Sequence, residues 1–124
     1  MKNSGFELLN CDKLLHTLNG DYAFVTKLMK IYLVNSEAKI ATLEEMIKSN
    51  DWDQIRKIVH YLKGSVVTLS ECQLFTNLKL LEDFASARNT DSFHQLYHDV
   101  QRQFIIFANE IKVFLNEYSK EIDE

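Results

Sequence analysis

The segment Trp52-Asp53-Gln54-Ile55-Arg56-Lys57-Ile58-Val59-His60-Tyr61-Leu62-Lys63-Gly64-Ser65-Val66-Val67-Thr68-Leu69 decides the fold. Its apolar residues Trp52, Ile55, Val59, Leu62, Val66 and Leu69 recur in steps of three and four, the period of one helix face. Ser49-Asn50-Asp51 stands before it, a polar break with good N-cap chemistry. The spacing predicts an amphipathic helix over 52–69.

The same pattern extends in both directions. A short first helix is expected over 12–18, with Leu14, Leu15 and Leu18 inward, ended by Asn19-Gly20-Asp21. A long second helix is expected over 22–47 on the stripe Val25, Met29, Leu33, Ser36, Ile40, Leu43, Ile47. A second stripe, Phe24, Leu28 and Ile31, is expected to receive the short first helix. After the quoted segment, Ser70 reads as the cap of a fourth helix, with Glu71 in the acidic position that a helix start favours. That helix uses Leu74, Leu78, Leu81 and Ala85. Asn89-Thr90-Asp91 breaks the chain again, and a last helix over 92–118 offers Phe93, Leu96, Tyr97, Val100, Phe104, Phe107, Ile111, Phe114 and Tyr118. Four amphipathic helices with short polar connections predict an all-α fold: an antiparallel four-helix bundle with a short additional N-terminal helix.

Composition agrees with this. The chain has 124 residues, a fit to one domain over 1–124, with about 1–10 and 119–124 expected to be flexible tails. Pro is 0 and Gly is 3, too few for a fold rich in turns. Hydrophobic residues at 46% and charged residues at 26% exclude wholesale disorder. Lys+Arg is 14 against Asp+Glu 18, a formal charge of −4, which argues against a nucleic-acid partner. No apolar run is long enough to cross a bilayer and no signal-peptide pattern opens the chain, so no membrane partner is expected and the expected compartment is the cytoplasm. Cys11 and Cys72 read as small thiols rather than a disulfide.

His60 does not fit a plain structural role. It lies beside the apolar stripe but off it. The residues three and four away, which share its face, are Arg56, Lys57, Lys63 and Gly64. Three are cations in an acidic chain. The fourth is a glycine inside a helix, which costs about 1 kcal/mol relative to alanine. A neutral imidazole is a nucleophile near neutral pH, and neighbouring cations favour the neutral form. A phosphoryl group received there carries negative charge that Lys63, with Arg56 or Lys57, can offset. The gap at Gly64 admits a partner's backbone, and Val67, two turns on, extends the face as an apolar docking contact. Read blandly, the same residues are a solvated basic helix face, and a lone His-x-x-Lys-Gly pattern is a weak signal.

His60-Tyr61-Leu62-Lys63-Gly64-Ser65 resembles the signature of histidine-containing phosphotransfer (HPt) domains, within a chain of matching helical layout. The resemblance implies a four-helix bundle with an extra N-terminal helix. It implies His60 as phosphoryl acceptor, Lys63 as the lysine near the phosphoryl group, and Gly64 as the glycine that clears the approach. It also implies that Glu82, on the next helix, bonds the imidazole and holds its proton on one ring nitrogen. Lys79, one turn before Glu82, is expected to face the same site. Two positions depart from the pattern: Val59 stands where a small residue is usual before the histidine, and Ser70 where a glycine is common near the helix end.

The function implied is a phosphorelay intermediate rather than an enzyme. His60 would carry a phosphoryl group between the receiver-domain aspartates of response regulators or hybrid histidine kinases in two-component signalling. The resemblance gives the Mg²⁺ to the partner receiver and no cofactor or metal to this chain. No glycine-rich phosphate loop is present, so no ATP site is expected. Two alternatives share the sequence: the phosphoacceptor domain of a larger chemotaxis-type kinase, and a non-catalytic helical docking module. His94 and His98 are four apart, a spacing compatible with a metal pair, but no third ligand is evident.

Overall fold

The computed structural model describes residues 5–123, with side-chain surroundings for 5–118. Among the described residues five helices follow one another: α1 (Cys11–Thr17), α2 (Tyr22–Lys48), α3 (Trp52–Leu69), α4 (Gln73–Ser86) and α5 (Thr90–Asp123). No strand occurs among the described residues. The expected α3 agrees with the structure at both ends.

Local chemistry sets the boundaries. Asn10, Asp21 and Asp51 each place a side-chain oxygen on a backbone amide of the first turn, at Lys13, Phe24 and Gln54 (3.1, 3.0 and 3.3 Å). Asn19, Asn50 and Arg88 take φ of 57°, 56° and 54°, turning the chain out of α1, α2 and α4, where asparagine tolerates the left-handed region better than most residues. The cap of α4 differs from expectation. Cys72, not Ser70, occupies its N-cap and makes no side-chain bond there.

Helix α2 packs on α3, α3 on α4, α4 on α5, and α5 returns more loosely to α2, which closes a four-helix ring. The core runs its length. Val25, Met29 and Leu43 of α2 meet Ile55, Val59, Leu62 and Val66 of α3, Leu74, Leu78 and Leu81 of α4, and Phe93, Phe107, Ile111 and Phe114 of α5. Burying each such side chain contributes about 1.5–3 kcal/mol. The second α2 stripe behaves otherwise than expected: Phe24 and Ile31 stay exposed, and α1 does not cover them. Helix α1 buries Cys11 and Leu14 in the core and leaves this face uncovered.

The expected N-terminal tail is corrected in part. Residues 1–4 lie outside the described residues, but the stretch after Gly5 is tied down. Leu8 and Leu9 are buried. The Glu110 carboxylate of α5 accepts the amides of Leu8 and Leu9 at 3.0 and 2.9 Å, and that of Glu7. Ser70 adds a second tie: its hydroxyl donates to the Leu8 carbonyl at 2.8 Å and accepts the Asn10 amide at 3.3 Å. Ser70 is extended (φ −161°, ψ 126°), a conformation open to any residue, so the turn does not require the glycine common there. At the other end residue 124 is outside the described residues, and the backbone of 119–123 continues α5 instead of leaving it.

Glu110→Ala strands three backbone amides and is expected to cost about 1–3 kcal/mol in urea unfolding, with fast hydrogen exchange confined to residues 7–10. Unchanged protection there contradicts the tether.

Candidate functional site

The α3 core stripe fixes His60. Val59 on one side is fully buried and aims into the bundle. A residue one step on is rotated by about 100° and emerges at the bundle surface. The His60 side chain is accordingly 65% exposed. The bulk of Val59, where the resemblance leads one to expect a small residue, is absorbed by the core.

Helix α4 supplies the partner. Leu78, Leu81 and Ala85 pack inward, and this rotation brings Glu82 to the α3–α4 seam. His60 Nδ1 lies 2.9 Å from Glu82 Oε2, and Lys63 Nζ lies 2.8 Å from Glu82 Oε1. One carboxylate thus spans both motif residues, its side chain 18% exposed and that of Lys63 23%. Burial pushes the Glu82 carboxyl up, but hydrogen bonding and charge from Lys63 and His60 outweigh it and hold the group below the usual carboxylate range.

The tautomer follows from these contacts. An ionised carboxylate only accepts hydrogen bonds, so Nδ1 must carry the proton that lies between it and Oε2. In the neutral ring the lone pair then resides on Nε2. Nε2 has no partner among the described residues and faces solvent. The ring is pinned by one nitrogen and nucleophilic at the other. Positive charge that develops on the ring when Nε2 forms a bond is opposed by Glu82 at hydrogen-bond distance.

Not every expected site residue gathers here. Gly64 does stand clear: a Cβ built on it meets nothing within 4 Å. Val67 is 38% exposed, available as a docking contact on the same helix. Arg56 and Lys57 lie one turn before His60 but make no bond to it or to Glu82. Lys79 turns away, its Nζ 5.6 Å from the Phe75 ring centroid. Lys63 is not a free cation, since Glu82 holds it. One neighbour escaped the sequence reading: Lys39 of α2 places Nζ 4.8 Å from the centroid of Tyr61, so a cation from the opposite seam borders the motif. No spacing rule links residues on different helices, and no sequence signal marked this pair. His94 and His98 gather no third ligand: no group of three or more metal-ligating side chains occurs among the described residues.

Glu82→Ala removes the acceptor that selects the tautomer. In ¹⁵N–¹H correlation of the histidine rings, neutral His60 is expected to carry its proton on Nδ1 in the parent and to shift largely to Nε2 in the variant; identical patterns contradict the assignment. Because the folded-state carboxyl is depressed, the stability that it contributes is fully present above the ordinary carboxylate range and lost as pH falls through the folded value. The stability gap between parent and variant should therefore narrow from about pH 5 downward.

The sequence matches no family model and no curated protein. The structure does find neighbours. A histidine-containing phosphotransfer protein from maize superposes with a TM-score of 0.78 at 18% identity, over 92% of this chain and 87% of that one. A putative histidine-containing phosphotransfer protein from rice gives 0.77 at 15% identity, over 92% and 85%. At such identities the likeness speaks for the backbone: the chain has the all-α fold of the histidine-containing phosphotransfer proteins.

Proposed function

We propose that the chain is a phosphorelay intermediate that carries a phosphoryl group on His60 Nε2. One observation carries this reading: the Nδ1–Glu82 contact leaves the exposed nitrogen of the same ring as the nucleophile. The fold likeness to histidine-containing phosphotransfer proteins supports it. The donor is the aspartyl phosphate of a receiver domain. The Nε2 lone pair forms the N–P bond while the P–O bond to the aspartate breaks, and the aspartate leaves as a carboxylate. The Nδ1 proton stays between the ring and Glu82. The reverse step returns the phosphoryl group to a second receiver.

Each expected residue takes a part. Lys63 offsets the Glu82 charge at rest and lies one turn from the incoming phosphoryl group. Gly64 and Val67 border the approach. Arg56, Lys57 and Lys79, which make no bond to the ring or to Glu82, serve the outer docking surface, where cations steer an acidic partner. The Mg²⁺ that phosphoryl transfer uses belongs to the receiver, because the carboxylate at this site is already engaged by Lys63 and His60. The chain acts as a carrier, and the partner does most of the positioning. No helix among the described residues is long and apolar enough to cross a membrane; a cytoplasmic location is part of this proposal. As the acceptor domain of a larger chemotaxis-type kinase, the same His60–Glu82 pair would serve, with a different donor.

Two outcomes test the reading. Incubation with a radiolabelled phosphoreceiver should transfer acid-labile label to the parent and none to His60→Gln; label on the variant overturns the assignment to His60, and partner affinity and signalling that ignore the change favour a docking module without chemistry. Gly64→Ala should separate folding from function. It fits without a clash and is expected to stabilise the helix by about 0.5–1 kcal/mol. Transfer should nevertheless slow, because the new methyl occupies the partner's approach; faster or unchanged transfer removes Gly64 from the site.

A further inference from the structure

The ring of helices leaves one seam loosely closed, and it lies opposite the phosphotransfer face. His60 and Glu82 mark the α3–α4 side. The α2–α5 side is the far edge of the ring, since each of these helices packs on the other neighbour instead. There a groove with a cavity volume of about 410 Å³ opens between the two helices. Two small residues, Ser36 on α2 and Ala108 on α5, line it.

The floor is apolar. Leu33 and Ile40 come from α2 and Phe104 from α5. Ile105 is 64% exposed at the rim of the groove, where a partner's apolar side chain can cover it. The groove runs from Tyr32 to Glu44, twelve residues of α2 or about 18 Å, which is three turns of a helix. The α2 wall is acidic, with Glu37 and Glu44 seven residues apart and about 10 Å along the same edge. Glu44 is held in place by Gln101 and Tyr97, whose side chains donate to its carboxylate at 3.0 and 3.3 Å. The one cation lining the groove, Lys112, sits at the opposite end from Glu44.

We propose that this groove is a second docking site, which takes a basic amphipathic helix of a partner protein. Apolar side chains at i, i+4 and i+7 span about 10 Å and match the floor. Lys or Arg on the flank beside α2 meets Glu37 and Glu44, and the net charge of −4 favours a cationic partner from a distance. Occupancy leaves the α3–α4 face clear, so a receiver and this helix bind together. The inference stands on groove geometry and charge and does not depend on chemistry at His60.

The test uses the whole chain, ¹⁵N-labelled, and an amphipathic peptide of about 14 residues with Leu at i, i+4 and i+7 and Lys on one flank. A counterpart carries Glu in place of Lys. Saturable shifts centred on Leu33, Ile40 and Ile105 are expected, with the Lys peptide bound at least about tenfold tighter. Ile105→Glu should weaken binding about tenfold or more while phosphoryl acceptance stays at the parental rate. Glu37→Lys should reduce the preference for the Lys peptide. Absence of saturable shifts, shifts centred on α3–α4, or equal binding of both peptides overturns the proposal. So does a concentration-dependent dimer that covers the groove, because the occupant is then a second copy.

Discussion

The structure turns on one carboxylate held at the seam of two helices. Glu82 reaches His60 with one oxygen and Lys63 with the other, each within hydrogen-bond distance. This geometry needs α3 and α4 in fixed rotation, which Leu62 and Val66 on one side and Leu78 and Leu81 on the other enforce from the core. A hydrophobic stripe thus does chemical work at a distance. By choosing which face of α4 is buried it chooses which residue meets the imidazole, and so which ring nitrogen is left to react.

The same contact changes the meaning of the basic face. Three cations around a histidine suggest a pocket that awaits negative charge. Of these three cations, Lys63 is the one that the folded chain ties to the ring's partner, and its charge is already met by Glu82. Lys63 and Glu82 offset each other beside the ring, which on the proposed reading suits a carrier that both takes and gives up a phosphoryl group. A site with several unpaired cations would hold the product and hinder the second transfer.

Much of this was legible in the sequence, and the exceptions have physical causes. Helix α3 could be read to both ends because a capping aspartate and an unbroken three-and-four spacing are local signals. His60 and Gly64 stood out for the same reason: each breaks a local rule. The anchored N-terminal stretch was not legible, since its partner Glu110 lies 102 residues from Leu8 and no periodicity connects a strap to a distant helix. Ser70 was read as a helix cap because serine is good at that task, but its hydroxyl is used across the fold. Phe24 and Ile31 were expected beneath α1, because apolar spacing shows that a face is hydrophobic without showing which element, if any, covers it. Glu82 came from the family likeness, and its grip on Lys63 emerged only with the helices packed.

The most direct measurement is the regiochemistry of modification. The chain can be treated with a small phosphoryl donor at neutral pH and examined by ³¹P and ¹⁵N NMR. The account predicts a single phosphohistidine, on His60, with phosphorus bonded to Nε2 and the proton retained at Nδ1. Phosphorus on Nδ1, or equal labelling of His16, His94 and His98, would contradict it.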